Sequence, residues 1–211
     1  MSTCMLVEMQ TKIMNIPPEL EHEALAMFKD WLDAACKTEL HEPTAMTLAT
    51  ANAQGRPSAR TMLLKSFDER GFVFFANSQS RKGDDLREND YVSLCFFWQP
   101  LMRQVRIEGR TVVISAEESD AYWETRPRDS QLGAWASQQS SPLDVRETLV
   151  KRLAEAHARF LDDTVPRPPH WVGYRVIPER IEFWKSGWRR LHERVLYEKQ
   201  EYGWCKSLLY P

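Results

Sequence analysis

Residues 45–76, AMTLATANAQGRPSARTMLLKSFDERGFVFFA, decide the fold class. The stretch contains three short apolar runs, each typical of a β-strand, separated by two turn signals. The runs are residues 45–50, 58–67 and 72–76, and the turn signals are residues 52–55 and 68–71. Two hairpin-like units in succession indicate an antiparallel sheet.

Outward from this stretch, apolar spacing predicts four helices and six further strands. The helices are residues 19–37, 81–89 behind the candidate cap Ser80, 116–125 ending near Pro127, and 143–161. The strands are residues 91–98, 103–114 with a possible bulge at Gly109, 171–177, 181–184, 190–197 and 204–208. Because strands bracket the helices, we predict an α+β, mainly β fold: a closed or nearly closed barrel with peripheral helices.

The domain organisation follows from length and composition. The chain has 211 residues and 43% hydrophobic content, which is enough for one buried core. We predict a mobile arm over residues 1–18, ended by Pro17 and Pro18, and a single domain over residues 19–211. The amino terminus lacks a basic start and a long apolar run, so the sequence predicts neither a secretory signal nor a membrane span. We therefore predict a cytoplasmic location.

Charge and cysteine usage exclude several classes. The formal net charge is -2, so no global positive field would attract nucleic acid or an anionic membrane. The four cysteines, Cys4, Cys36, Cys95 and Cys205, are isolated along the chain. This spacing predicts no metal site and no disulfide framework, and it suits a reducing compartment.

Local clusters of cations are the candidate binding residues. Ser80, Arg81 and Lys82 open a predicted helix, whose amino terminus favours a phosphate; the alternative is a solvated helix start. Gln104 and Arg106 share one strand face, where the Gln104 amide is able to donate and accept hydrogen bonds at the edge of a flat heterocycle. The alternative is an exposed polar face of the strand. Arg60 and Lys65 have opposite parity, so a regular strand would direct them to opposite faces.

Two further clusters lie in the second half of the chain. Tyr122 and Arg126 share a helix face, and Ser130 follows just past the predicted helix end, which makes a second phosphate site; the alternative is a helix-end ion pair. Arg190, His192 and Arg194 would share one face of a strand and repel one another unless an anion lies among them. The alternative is an exposed edge strand whose cations pair with nearby glutamates.

The motifs as an ordered set resemble those of the pyridoxamine 5'-phosphate oxidase family, from about Leu20 to near the carboxyl end. The segments that carry the resemblance are residues 45–50, 60–65, 80–82, 103–105, 126–131, 133–137, 139–140, 182–184 and 190–192.

The resemblance implies a split β-barrel homodimer with FMN in a groove between the subunits. It implies these cofactor-binding residues: Arg60, Thr61, Met62, Leu63, Leu64, Lys65, Phe75, Ala76, Arg81, Lys82, Gln104, Gln139, Ser140, Trp184 and Arg194. It implies these substrate-binding residues: Lys65, Tyr122, Arg126, Ser130, Arg190 and His192. Phe75 and Ala76 depart from the family pattern, which often has Tyr-Thr, so two hydroxyls are missing.

The implied reaction is oxidation of pyridoxine 5'-phosphate or pyridoxamine 5'-phosphate to pyridoxal 5'-phosphate, with O2 reduced to hydrogen peroxide. Arg190 and His192 are the implied catalytic residues, and His192 would assist proton removal. One alternative is a non-catalytic flavin-binding barrel, which would not need the substrate-binding residues. Another is a nucleic-acid-binding barrel, which the negative charge and the lack of a basic stripe disfavour.

Overall fold

The computed structural model describes residues 19–161 and 163–211. The chain forms two compact units. The cavity unit consists of Thr44–Phe96 and Glu108–Pro178, and the terminal unit consists of the described residues up to Pro43, Phe97–Ile107 and Glu179–Pro211. The predicted arm lies outside the described residues, and the single domain over residues 19–211 stays a prediction.

The first hairpin of the cavity unit forms as its sequence predicts. β1 (Ala45–Ala51) pairs antiparallel with β2 (Pro57–Leu63) on one side and with β5 (Tyr91–Trp98) on the other. The carboxamide oxygen of Asn52 closes the turn by accepting hydrogen bonds from the N–H groups of Gln54 and Arg56. Gly55 supplies the left-handed conformation that the turn requires, with a φ of 73°.

The second hairpin continues into the last long strand. β3 (Ser66–Asp68) pairs with β4 (Gly71–Asn77), and β4 pairs with the first part of β7 (Trp171–Lys185). The predicted single strand over residues 58–67 is wrong, because the chain breaks into β2 and β3 at Leu64 and Lys65.

Four helices belong to the cavity unit: α2 (Arg81–Glu88), α3 (Ala116–Glu124), α4 (Arg128–Ala136) and α5 (Arg146–Phe160). Ser80 caps α2 as predicted, since its hydroxyl accepts a hydrogen bond from the N–H of Gly83. A buried cluster joins the last three helices to the start of β7 and fixes their positions. Its members are Trp123, Leu132, Ala156, Phe160, Val165 and Trp171.

The terminal unit packs α1 (Glu19–Cys36) against β8 (Glu193–Gln200) and β9 (Gly203–Leu208). Phe28 and Trp31, predicted on the apolar stripe of α1, contact the rings of Trp98 and Phe183 at 6.0 and 5.3 Å. The side chain of Leu20 lies outside the described residues. β6 (Arg103–Val113) begins in this unit, and β7 ends in it.

The strand order is β2–β1–β5–β6–β7–β4–β3, with β8 pairing with β7 and β9 with β8. The α+β, mainly β class is therefore confirmed. Three details differ from the sequence prediction: residues 171–185 form one strand rather than two, α4 was not predicted, and the strand predicted at 190–197 begins only at Glu193. None of the helices in the described ranges has both the length and the apolar content that a bilayer-crossing segment needs.

Substitution of Gly83 in α2 tests how closely this helix packs against the backbone of Ser78. A Cβ atom here would lie 2.2 Å from the carbonyl oxygen of Ser78, so the backbone would have to move. We expect Gly83→Ala to lower the free energy of unfolding by about 2 kcal/mol, as overpacking of a close contact does.

Gly133 in α4 is the matched control, because a Cβ there meets no atom within 4 Å. Gly133→Ala should raise the free energy of unfolding by up to about 1 kcal/mol through helix propensity. Urea denaturation of both variants checks this, and equal effects would contradict the packing assigned to Gly83.

Candidate functional site

Two adjacent cavities lie in the cavity unit. The lysine cavity has a volume of about 350 Å³ and the tyrosine cavity about 400 Å³. Met62, Phe75, Arg126 and Ser130 line both cavities, so these four side chains form a shared wall. The lysine cavity is also lined by Ala76, Asn77, Lys82, Gly133, Ala134, Ser137, Gln139, His170 and Trp171. The tyrosine cavity is also lined by Thr61, Leu63, Lys65, Tyr122 and Pro127.

Lys82 is the principal charge of the lysine cavity. It is only 6% exposed, and its ammonium donates hydrogen bonds to Ser80 Oγ at 3.1 Å and to Gln139 Oε1 at 2.6 Å. Both partners are neutral. Burial, and secondarily the charge of Arg60, lowers the pKa of Lys82 to about 8. A buried cation with neutral partners favours an anionic ligand.

Arg126 is the second cation of the site and is half-buried. Its guanidinium lies over the rings of Trp171 and Trp123, 4.8 and 5.4 Å from their centroids. Its Nη2 donates to the carbonyl oxygen of Ser130 at 3.2 Å, whereas its buried Nε has no hydrogen-bond partner. Burial lowers the pKa of Arg126, and nearby Tyr122 opposes this change. The guanidinium is thus held by aromatic faces without a carboxylate among the described residues.

Three aromatic rings support the shared wall. Phe75 stacks on Tyr122 with ring centroids 4.3 Å apart and on Trp171 at 4.6 Å, with interplanar angles of 9° and 8°. Phe75 lines both cavities and Ala76 lines the lysine cavity, so the positions that depart from the family pattern lie at this site. Flat rings of this kind are suited to a flat heterocyclic ligand.

The break between β2 and β3 explains how Lys65 reaches the tyrosine cavity. Lys65 lies in the connection between the two strands, and its N–H donates to the carbonyl oxygen of Val73 at 2.9 Å. The parity argument that separated Lys65 from Arg60 assumed a continuous strand, which the chain does not form here; Lys65 lines the tyrosine cavity and Arg60 lines neither cavity.

Helix α4 places Ser130 and the small residues of the lysine cavity. Pro127 precedes the helix, and Gln131 donates to the carbonyl oxygen of Trp123 at 2.8 Å. Ser130 follows the end of α3, as predicted, and it lies in the first turn of α4, a helix that was not predicted. Pro127 and the acidic first-turn residue Asp129 were the signal for this start.

Four predicted cofactor residues of this unit do not line either cavity: Arg60, Leu64, Arg81 and Ser140. Arg60 instead donates to Thr50 Oγ1 and Ser58 Oγ, both at 2.8 Å, and lies 3.7 Å from Asp85. Leu64 is a core residue, 4% exposed. Conversely, Asn77, Ser137 and His170 line the lysine cavity without having been predicted, because single polar residues carry no sequence pattern.

The remaining predicted residues belong to the terminal unit. Trp184 and His192 have ring centroids 4.7 Å apart, and the N–H of Gly187 donates to His192 Nδ1 at 3.2 Å. Arg190 ends a short helical turn and has a φ of 66°. Arg190 and His192 precede β8, so the prediction that both share a strand face with Arg194 is wrong.

Gln104 and Arg194 lie on regular strands. Gln104 and Arg106 are both half-buried on β6 while Val105 and Ile107 are buried, which confirms the predicted alternation. Arg194 pairs with Trp184 in the β7–β8 register and donates through Nε to Glu182 Oε1 at 2.7 Å.

Taken together, the mainly β fold and the two cavities lined by Lys82 and Arg126 define a split-barrel protein with a site suited to anionic, flat ligands. A family model described as pyridoxamine 5'-phosphate oxidase matches residues 32–160. A second model, described as the pyridoxine 5'-phosphate oxidase C-terminal dimerisation region, matches residues 171–211. The chain belongs to the pyridoxamine 5'-phosphate oxidase family, and it is an oxidoreductase.

Individual relatives agree with this placement. A pyridoxine/pyridoxamine 5'-phosphate oxidase of Rubrobacter xylanophilus is 54% identical, covering 90% of this chain and 87% of that protein. The crystal structure of PhzG from Burkholderia lata, in complex with tetrahydrophenazine-1-carboxylic acid, is similar with a TM-score of 0.85 at 37% identity, covering 89% and 92% of the two chains. A pyridoxamine 5'-phosphate oxidase-related, FMN binding protein from Nostoc punctiforme shares the fold, with a TM-score of 0.70 at 18% identity over 88% and 96%.

Proposed function

We propose that this protein oxidises pyridoxine 5'-phosphate or pyridoxamine 5'-phosphate to pyridoxal 5'-phosphate with FMN as cofactor, O2 being reduced to hydrogen peroxide. The observation that carries the proposal is the pair of cations, buried Lys82 and half-buried Arg126, in adjacent cavities that share an aromatic wall. Two cations in two cavities suit two phosphorylated ring compounds bound side by side.

The lysine cavity fits the cofactor. Lys82 and the hydroxyl groups around it supply donors for a phosphate, and Gln139 fixes the ammonium in place. When bound, FMN would accept two electrons from the substrate. The cofactor residues expected outside this cavity, including Gln104, Trp184 and Arg194, are assigned through the family resemblance.

The tyrosine cavity fits the substrate phosphate. An ammonium, a phenol, a guanidinium and a hydroxyl, from Lys65, Tyr122, Arg126 and Ser130, line this one cavity. A doubly charged phosphate would pair with the Arg126 guanidinium, which contacts no carboxylate among the described residues. The 54% identity to a pyridoxine/pyridoxamine 5'-phosphate oxidase favours this phosphate substrate over the carboxylate of the PhzG complex.

We assign Arg190 and His192 to the reacting side of the substrate. Since His192 Nδ1 accepts a hydrogen bond from Gly187, the neutral imidazole carries its proton on Nε2. Nε2 is then a donor, so the contact favours a role in holding the substrate oxygen or nitrogen over the proton removal expected from the sequence. Arg190 supplies a fixed positive charge beside it.

A homodimer is part of the proposal. The match of residues 171–211 to a dimerisation region supports it. Large apolar side chains in the same segment are exposed in the single chain, which a partner subunit would cover. They are Trp188, Leu191, Leu208 and Tyr210.

The proposal predicts that protein loaded with FMN releases one hydrogen peroxide per pyridoxal 5'-phosphate formed from either substrate in air. Arg190→Ala should lower kcat by about 100-fold, which is the usual effect of removing one positioned charge or donor at a reacting centre. An aerobic assay that follows peroxide and aldehyde together measures both quantities.

Arg189→Ala is the matched control for this assay. Arg189 has the same left-handed backbone, with a φ of 54°, but its guanidinium stacks on exposed Trp188 at 4.0 Å. Its kcat should stay within about twofold of wild type. Product without peroxide, or unchanged turnover in Arg190→Ala, would refute the proposed chemistry or the role of Arg190.

A further inference from the structure

Glu182 is a buried carboxylate between two arginines of the terminal unit. Its side chain is 5% exposed, and it lies in the part of β7 that pairs with β8. Oε1 accepts from Arg194 Nε and Oε2 accepts from Arg106 Nη2, both at 2.7 Å. Burial raises the pKa of Glu182, but the Arg194 hydrogen bond and the positive charges of Arg106, Arg194 and Arg180 outweigh this and lower it overall. Glu182 is therefore ionised at neutral pH.

Arg194 is held at a second point by the end of the chain. Its Nη1 donates to the carbonyl oxygen of Tyr210 at 2.8 Å, and its own carbonyl oxygen accepts from the N–H of Leu209 at 3.0 Å. Within the described parts of the chain, Nη2 makes no hydrogen bond. The guanidinium is thus fixed through two nitrogens while the third is available, and its side chain is 26% exposed.

The carboxylate partners of Arg194 differ in number from those of the arginines in another cluster of the same protein. In the cavity unit, Arg70 and Arg175 contact two carboxylates, those of Asp68 and Glu118. That network has no net charge, and each of its two arginines contacts both carboxylates. Around Glu182, one buried carboxylate accepts hydrogen bonds from two guanidinium groups, and among the described residues Arg194 contacts no second carboxylate.

We propose that Glu182 is a positioning residue that orients Arg194 toward FMN, with the Tyr210 carbonyl as the second anchor. The proposal rests on the proposed function, which assigns Arg194 to the cofactor. Glu182 itself contacts no ligand. Glu182 would raise the affinity for FMN by holding the Arg194 guanidinium in its binding orientation, because a preorganised group loses less conformational freedom on binding.

The test is titration of the apoprotein with FMN, followed by flavin fluorescence. We expect Glu182→Gln to raise the Kd for FMN about tenfold, the lower end of what supporting partners of ligand-binding groups contribute. Glu118→Gln is the matched control, because it also removes the charge of a carboxylate held by two arginines. It should lower the melting temperature and leave the Kd within about twofold of wild type.

A double-mutant cycle separates positioning from a general structural effect. In an Arg194→Met background, Glu182→Gln should change the Kd by less than about twofold, because the residue through which it acts is absent. A full tenfold effect in that background, or equal Kd changes in the Glu182 and Glu118 variants, would overturn the proposal. If Glu182→Gln does not fold, Glu182→Asp replaces it. Glu182→Asp should raise the Kd for FMN by a smaller factor, and this rise should also disappear in the Arg194→Met background. An unchanged Kd in Glu182→Asp would overturn the proposal.

These outcomes are distinct from failure of the proposed function. Wild-type apoprotein that binds no FMN would refute the cofactor assignment itself. Wild-type protein that binds FMN, with a Kd insensitive to Glu182→Gln, would refute only the positioning role.

Discussion

Replacement of Arg126 by methionine is expected to lower kcat/KM for pyridoxamine 5'-phosphate by about 100-fold while leaving the protein at least as stable. A hydrogen bond between charged groups contributes about 1.5–3 kcal/mol, and a guanidinium offers two to a phosphate. The phosphate does not change during oxidation at a distant carbon, so the loss should fall mainly on KM. The stability follows from the absence of a carboxylate partner, since methionine removes a half-buried charge whose Nε has no hydrogen-bond partner and keeps an apolar side chain against Trp123 and Trp171.

Arg128→Met is the matched control for this experiment. Arg128 is two residues away, but its guanidinium donates to the carbonyl oxygens of Phe160, Leu161 and Asp163 at 2.7–3.0 Å. This variant should lose stability and keep its KM within about twofold. Steady-state kinetics and thermal unfolding of both variants check the contrast. A KM that rises equally in both would show that the Arg126 guanidinium does not hold the substrate.

The second large effect concerns Lys82 and is expected to depend on pH. The pKa of Lys82 in the ligand-free protein is about 8, so the ammonium loses its proton above that pH. A bound phosphate favours the charged form, and binding above pH 8 must therefore take up a proton. Affinity for FMN should fall by up to about tenfold per pH unit above pH 8. A phosphate monoester has a second pKa near 6, so the ligand itself stays doubly charged over this range.

Stability of the ligand-free protein should change in the opposite direction. The folded pKa of about 8 lies below the ordinary value of 10.5, so between these values the unfolded chain binds a proton that the folded protein does not. Stability contributed by this group therefore increases as the pH rises from 8 to 10.5. Below pH 8 both states are charged, and the cost of burying the ammonium is fully present.

Two substitutions of Lys82 distinguish its charge from its shape. Lys82→Met should weaken FMN binding about 30-fold at pH 7, consistent with the loss of a charged hydrogen bond, and remove the decline above pH 8. Lys82→Arg keeps a charge at every accessible pH and should also remove the decline while binding more tightly than Lys82→Met. Titrations at pH 7, 8 and 9 measure these values. A decline that persists in both variants would assign the titration to another group.

Local patterns predicted most of the strands and the helix starts correctly. The alternation and turn residues of β1 and β2 need only their immediate neighbours, and the Ser80 cap is satisfied by Gly83, three residues later. The order of the motifs was enough to indicate the family.

Where prediction failed, a distant contact or an ambiguous local signal was responsible. Helix α4 has a weak apolar pattern and is held by Trp123 and the carbonyl groups after α5. The segment before β8 contains two consecutive arginines with positive φ, which no periodicity predicts. Arg190 and His192 were therefore identified as candidates but were assigned to the wrong local structure, and the helix that contains Ser130 was missed.

The sequence by itself determined which side chains this protein has for binding anions, and the strands and caps on which several of them lie. Only the tertiary structure decided which of them face a cavity, which is why Lys82 lies beside Gln139, Arg126 between two tryptophans, and Arg60 against Asp85 instead. The physical reason is that a buried charge depends on partners supplied by distant parts of the chain. Hydrophobic periodicity, in contrast, is a property of neighbouring residues alone.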